Sequence, residues 1–184
     1  MIVSKLEKIA SELNGKYTID RHKIDFLDGS TSPETYHTIK YEYAASEIVI
    51  FAQTGFTETA RVITTLSSFI RPIEFEIDCI SPFENLFLRR ESRFKVTCKN
   101  ENFKYFLEHK ALAAFDKTME TENFVPRVFT QNESMKNQII FQFHLGFPKW
   151  LDIFTEIDQF LKLVIDELKS DNRFISHNEY KGKN

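Results

Sequence analysis

Residues 73–79 read IEFEIDC, a stretch in which apolar side chains alternate with the acids Glu74, Glu76 and Asp78. This period of two is typical of a β-strand that has one face on a core and one in water. Side chains two residues apart on a strand lie about 6–7 Å apart, too far for one metal ion to bridge the row. The sequence therefore predicts that the acids face outward, opposite the basic residues of a neighbouring strand.

The period of two continues upstream of this strand to Gly15. Ile39, Tyr41 and Tyr43 share one predicted strand face, and residues 48–51 are apolar on both faces. Turn residues separate these strands, and no helical pattern comes between them. The succession predicts an antiparallel meander.

Three segments have helical spacing. The capping-box pattern from Ser4 to Glu7 predicts a helix over 4–14, and a second apolar stripe predicts a helix over 102–119. The strongest pattern predicts a long C-terminal helix that packs across a sheet. Its heptad-spaced apolar residues are Trp150, Phe154, Ile157, Leu161, Val164 and Leu168.

The second half also contains strand patterns, at 94–98 and 139–145. Pro126 predicts that any strand around it is an edge strand or a bulge, and residues 130–137 are expected to form a polar loop. A cap and a proline at 81–82 predict a short helix start.

The predicted fold class is therefore α+β. It consists of an antiparallel, largely meander sheet of six to eight strands with helices on one face, including an N-terminal helix and a long C-terminal helix. Residues 1–169 are expected to form one domain, followed by a polar tail at 170–184 that we expect to be flexible.

Composition and charge exclude several classes of protein. The net charge of −3 supplies no general attraction to nucleic acid or to an anionic membrane. The uncharged run at 48–57 is too short to span a bilayer, so no membrane insertion is predicted. Charges at Lys5, Glu7 and Lys8 interrupt the apolar run that a signal peptide needs. We expect a soluble cytoplasmic protein.

Motifs for cofactors and metals are missing from the sequence. The five glycines are too scattered for a phosphate-binding loop, so no cofactor is predicted. No pair of histidines has metal-ligand spacing, and Glu34-x-x-His37 runs into a strand, so no metal site is predicted either. Cys79 and Cys98 have inward strand parity and are interpreted as buried thiols that act as small apolar residues, with a redox pair as the alternative.

The chain contains 19 phenylalanines, which indicate a thick core, a ligand cavity or an adhesive surface. Together with the absence of catalytic motifs, they predict a non-catalytic binding or interaction domain. One version is a cavity for a small apolar ligand, with Tyr41, Tyr43 or His144 at its mouth.

The other version is a homodimer or a complex with a protein partner, formed through a sheet face or the last helix. Its candidate surface residues are Arg89, Arg90, Arg93, Lys95 and Leu161. The same basic stretch could be interpreted as a nucleic-acid surface, but Phe94 and Phe103 have core positions and are not free to stack on bases. An enzyme remains the alternative, with acid and base residues such as Glu76 and His144 brought together from separate strands.

Overall fold

The computed structural model describes residues 2–80, 93–115, 124–133 and 136–181, with the side chains of 114, 133 and 171–181 excepted. It contains one open antiparallel sheet of eight strands. In chain order the strands are β1 Lys16–Asp25, β2 Thr31–Tyr43, β3 Ser46–Gly55, β4 Thr59–Thr65, β5 Phe75–Cys79, β6 Phe94–Cys98, β7 Arg127–Glu133 and β8 Lys136–His144. The helices are α1 Ile2–Glu12, α2 Glu101–Phe106 and α3 Ile153–Lys181.

The sheet has the strand order β1-β2-β3-β4-β8-β7-β5-β6. The first four strands form a meander. The last strand, β8, pairs with β4, and β7, β5 and β6 follow it in that order. Every described pairing is antiparallel. The predicted α+β fold with a largely meander sheet is confirmed.

Two local predictions for the second half are wrong. The strand after Pro126 is not at an edge, because β7 lies between β8 and β5; the proline precedes the first paired residue, where its missing N–H removes no ladder bond. The expected polar loop at 130–137 is instead a hairpin, in which Thr130 pairs with Ile139 and Glu133 with Lys136. Polar residues are tolerated there because one sheet face carries no described helix.

Helix α1 begins at Ile2, so Ser4 lies inside the helix and the predicted capping box does not form its start. At the other end, Asn14 adopts a left-handed φ of 53°, and the N–H of Gly15 bonds to the carbonyl of Ala10 at 2.7 Å. Gly15 itself is required by close packing, since a Cβ there would lie 2.9 Å from the carbonyl oxygen of Lys40.

The helix predicted over 102–119 is shorter and less regular than expected. After α2 the chain makes one π turn, Leu107–Ala111, and one 3₁₀ turn, Leu112–Phe115. Leu107, Ala111 and Leu112 all remain buried through these two turns. Residues 116–119 and the predicted helix start at 81–82 lie outside the described residues.

All three helices contribute to one hydrophobic core on one face of the sheet. Phe115 lies near its centre, with ring contacts to Phe94, Phe124, Phe141 and Phe160 at centroid distances of 5.5–6.4 Å. The predicted apolar stripe of α3 is confirmed, because its members from Phe154 to Leu168 are buried against the sheet. The abundant phenylalanines thus build a thick core.

A two-residue turn joins β2 to β3. Its residues, Ala44 and Ala45, both have positive φ, at 52° and 63°, and Tyr43 pairs with Ser46 around them. This geometry matches the primed turns that suit the twist of a hairpin, although such turns usually carry Asn and Gly.

None of the described helices is both long enough and apolar enough to cross a membrane.

Candidate ligand-binding groove

The sheet face turned away from the three helices, called the open face below, carries its side chains in ordered rows. Across one row, Phe51 of β3 lies opposite Arg61 of β4, Arg61 opposite Gln142 of β8, and Gln142 opposite Arg127 of β7. Neighbouring strands are about 4.8 Å apart, so this row brings four different side chains into one short span. The row contains an aromatic ring, two guanidinium groups and an amide.

A groove with a volume of about 890 Å³ lies along this row. Its walls include Tyr36 and Phe51 on one side, and Val125 and Arg127 on the other. Phe51 remains 42% exposed and Val125 63% exposed, so the groove offers apolar surface to solvent. Ligand sites commonly have volumes of about 300–1,000 Å³, which places this groove within the usual range.

An apolar strip forms the next row of the open face. Ile63 of β4 lies opposite Ile140 of β8, and Ile140 opposite Phe129 of β7. Ile140 is fully buried, yet it is not part of the core under the helices. The open face therefore has a small apolar layer of its own, and Ile63 extends it into the groove.

The opposite end of the groove is polar. Gln53, Thr59 and His144 lie on adjacent strands there, and Tyr36 completes the row. The ring of His22 meets that of Tyr36 edge-on at 5.4 Å. The groove thus changes from apolar at Ile63 to hydrogen-bonding at His144.

A buried carboxylate fixes the loop at this polar end. Glu34 is fully buried and accepts hydrogen bonds from the side-chain amide of Gln53 at 2.8 Å and from the N–H groups of Phe56 and Thr57 at 3.2 and 3.3 Å. Three donors replace the water that this carboxylate loses, which makes its burial tolerable. Gln53 is thereby held in place at the groove wall.

The two arginines of the groove differ in their electrostatic partners. Arg127 bonds to Oε1 of Glu76, through Nη2 at 2.6 Å and Nε at 3.1 Å, and its Nε lies 3.6 Å from Oδ1 of Asp78. The hydrogen bond with Glu76 raises the pKa of Arg127 above its ordinary value. Arg61, in contrast, forms no ion pair within the described part of the chain.

The acidic row singled out in the sequence belongs to this same face. Asp78 lies opposite Lys95 of β6, as expected for neighbouring strands, and its parity is outward. The ion pairs of Glu76 and Asp78, however, run to the other neighbour, through Arg127. No group of three or more His, Cys, Asp or Glu residues in the described ranges is arranged to hold a metal ion.

The predicted ligand-binding residues are not brought together. Tyr41 is buried beneath α3 and donates a hydrogen bond to Asp158, and Tyr43 donates one to Asp166. Both tyrosines therefore contact the C-terminal helix, whereas His144 borders the groove on the open face. Of the three, His144 lines the groove and the two tyrosines do not.

The predicted partner surface is also divided. Lys95 is exposed on β6, an edge strand, and Arg93 is half-buried just before it. Leu161 is fully buried in the core and adds no exposed surface. Arg89 and Arg90 lie outside the described residues.

The structure does not bring together Glu76 and His144, the two residues named for the enzyme alternative. Glu76 and His144 are separated by four residues and two strands in the register, roughly 16 Å. They border different cavities, since Glu76 lines a smaller one of about 400 Å³.

Glu34 and His37, which have the spacing of a metal motif in the sequence, point to opposite faces of β2. His37 bonds instead with Tyr17 at 2.8 Å and Thr54 at 3.3 Å.

The cysteines lie on neighbouring strands, and both are free; each is half-buried rather than fully buried as predicted. Cys79 pairs with Phe94 and Cys98 with Phe75, at opposite ends of the β5–β6 ladder. Their Cα atoms are therefore roughly 14 Å apart, beyond the reach of a disulfide.

Sequence reasoning missed Phe51, Arg61 and Arg127 as members of one site. The alternation around Arg61, between buried Ala60 and Val62, does place it on the outward side. The local pattern does not show that β4 lies beside β8 and that β8 lies beside β7. This strand order brings the three residues into one row.

Comparisons with known proteins give no relative. No protein-family model matches the chain, no curated protein matches it significantly, and neither does any solved structure.

Proposed function

We propose that this protein is a non-catalytic binding protein that holds a small, largely apolar molecule in the groove of its open face. The observation that carries the proposal is the groove itself: about 890 Å³, with the exposed ring of Phe51 and the side chain of Ile63 beside hydrogen-bonding groups. A concave, mainly apolar site with a few convergent polar groups is the usual form of a small-molecule site.

The rigidity of the surroundings supports this proposal. The groove is built on hydrogen-bonded strands of the sheet, and Glu34 fixes its polar end through two hydrogen bonds to the adjacent loop and one to Gln53. A preformed site loses little conformational freedom when a ligand binds. The two free thiols also fit a reducing compartment, and we propose the cytoplasm as the location.

The first test is a titration with phenylnaphthylamine, an uncharged dye whose fluorescence rises in apolar surroundings. We expect saturable binding of one dye per chain. Gln142→Trp, at the centre of the groove, should abolish it by filling the space. Thr18→Trp is the matched control, because Thr18 is exposed on β1 and does not line the groove. No saturable signal, or an equal loss in both variants, would refute the proposal.

A native mass spectrum of the gently purified protein tests the other occupant of this face, a second copy of the chain. A monomer that carries an added mass of a few hundred daltons supports the small ligand. A dimer that Gln142→Trp dissociates and Thr18→Trp leaves intact would overturn the proposal, and would assign the open face to self-association.

A further inference from the structure

We infer that the ligand of the groove is an organic anion, an apolar body with a single acidic group such as a carboxylate or sulfonate, and that Arg61 binds the acidic group. This inference rests on the proposed binding function and adds the chemical class of the ligand. It is carried by the surroundings of Arg61 on the open face.

Among the described residues, the sheet neighbours of Arg61 include no acid. In the register its side chain lies between Phe51 and Gln142, and along β4 between Thr59 and Ile63. The diagonal neighbours on the same face are Val49, Gln53, Ile140 and His144. The guanidinium is therefore a permanent positive charge at the groove wall that the described side chains leave uncompensated.

Arg127 lies in the same groove, and its positive charge is compensated. Its charge is met by Glu76 and Asp78, and its guanidinium lies 5.4 Å from the ring centre of Phe129. The two walls therefore differ: the Arg127 wall is already neutralised, and the Arg61 wall attracts an anion. An acidic group should bind at the Arg61 side.

The groups around Arg61 suit an amphipathic anion. A guanidinium donates two parallel hydrogen bonds to a carboxylate or sulfonate, and Gln142 and Thr59 add further donors at adjacent positions. Phe51 and Ile63 provide apolar surface directly beside the charge, where the body of the ligand would lie. The anion-binding guanidinium of Arg61 and the apolar ring of Phe51 are thus on neighbouring strands, one strand spacing apart.

The test compares two dyes that differ in one acidic group, phenylnaphthylamine and anilinonaphthalene sulfonate. The wild-type chain should bind the sulfonate about tenfold more tightly than the uncharged dye, as expected for a charge-assisted bond at a partly exposed site. Arg61→Met should remove this preference and leave the affinity for phenylnaphthylamine within about twofold, whereas Arg61→Lys should retain part of it.

Lys95→Gln is the charge control, because it removes one positive charge from an exposed position of the sheet that does not line the groove. It should leave the preference unchanged. The inference is overturned if the wild type binds both dyes equally, or if Arg61→Met and Lys95→Gln lower sulfonate binding alike. Failure of phenylnaphthylamine to bind the wild type would instead refute the binding function itself, so the two failures are distinguishable.

Discussion

The hydroxyl of Tyr41 donates a hydrogen bond to Oδ1 of Asp158 at 3.0 Å and joins β2 to α3 across 117 residues of chain. Both residues are almost completely buried. The other oxygen of Asp158 pairs with Lys162 at 2.7 Å, so one carboxylate connects the sheet, the helix and a partly exposed cation. Burial and the nearby carboxylate both raise the pKa of Tyr41, which stays a neutral donor. This buried contact fixes the position of the long helix on a largely apolar face.

Replacement of Tyr41 by Phe should destabilise the fold. The variant leaves Oδ1 of buried Asp158 without its donor, and hydrogen bonds to charged groups contribute about 1.5–3 kcal/mol. Tyr43→Phe is the matched control, since that hydroxyl also bonds to an aspartate of α3, at 2.8 Å, but in an exposed position. It should cost less than about 1 kcal/mol. Urea denaturation measures both, and equal losses would contradict the importance of the buried contact.

The buried position of Leu161 leads to a prediction about the last helix. Leu161→Asp would place a carboxylate in the core, where no described partner could compensate it, and should cost more than about 4 kcal/mol. Leu163→Asp, on the same helix but at a position that is 43% exposed, should leave the fold intact. Circular dichroism with heating tests this. A folded Leu161→Asp monomer would return Leu161 to the interface that the sequence suggested.

Local sequence patterns predict the strands and the buried stripe of the last helix, but not every helix boundary. The periods of two and of about 3.6 gave the strands and the stripe of α3 because burial on one side acts on each residue directly. The pattern from Phe154 to Leu168 is buried as expected. Helix bounds were less predictable, since Ser4 has a capping side chain but lies inside α1.

The groove could not be predicted for a topological reason. Arg61 and Arg127 are 66 positions apart in the sequence, and they meet across Gln142 only because β8 inserts between β4 and β7. Strand order of this kind depends on long-range packing and leaves no local trace. The sequence places Tyr41 and His144 at the mouth of one cavity, whereas the strand register and the contact with α3 place them on opposite faces of the sheet.

A substitution in the turn between β2 and β3 should make the protein more stable. Ala45 has a left-handed φ of 63°, a conformation that costs a residue with a Cβ about 1–2 kcal/mol. Ala45→Gly should therefore raise the free energy of unfolding, by about 1 kcal/mol after the greater freedom of glycine in the unfolded chain is deducted. Thermal denaturation should show a higher midpoint.

The reverse substitution at another turn supplies the control for this prediction. Gly29 has a φ of 80° and no atom within 4 Å of the position that a Cβ would occupy. Gly29→Ala changes only the backbone preference and should destabilise the protein by about 1 kcal/mol. If Gly29→Ala lowers stability as expected but Ala45→Gly lowers it too, the inference that backbone strain at Ala45 destabilises the protein is contradicted.

The thiol of Cys79 should be nearly inert and should make stability depend on alkaline pH. Its burial raises the pKa from 9.0 to about 12, and its Sγ lies 3.4 Å from the carbonyl oxygen of Pro126. The thiolate is the reactive form, so at pH 8 the folded protein should hold about a thousandfold less of it than the unfolded chain. Iodoacetamide should therefore modify Cys79 much more slowly in a folded Cys98→Ser variant than in the same variant in denaturant.

The direction of the pH effect follows from the same shift. Because the folded pKa lies above the unfolded value, folding favours the protonated thiol; the stabilisation is complete below pH 9.0 and is lost as the pH rises from 9.0 towards about 12. Cys79→Ala should thus lose less stability than the wild type between pH 9 and pH 11 in parallel denaturation series. Cys98→Ala is the control, since burial raises the pKa of that thiol as well but by less. If Cys79→Ala shows the full alkaline loss of the wild type, the decline originates in other groups, and the half-buried thiol of Cys79 does not couple folding to pH.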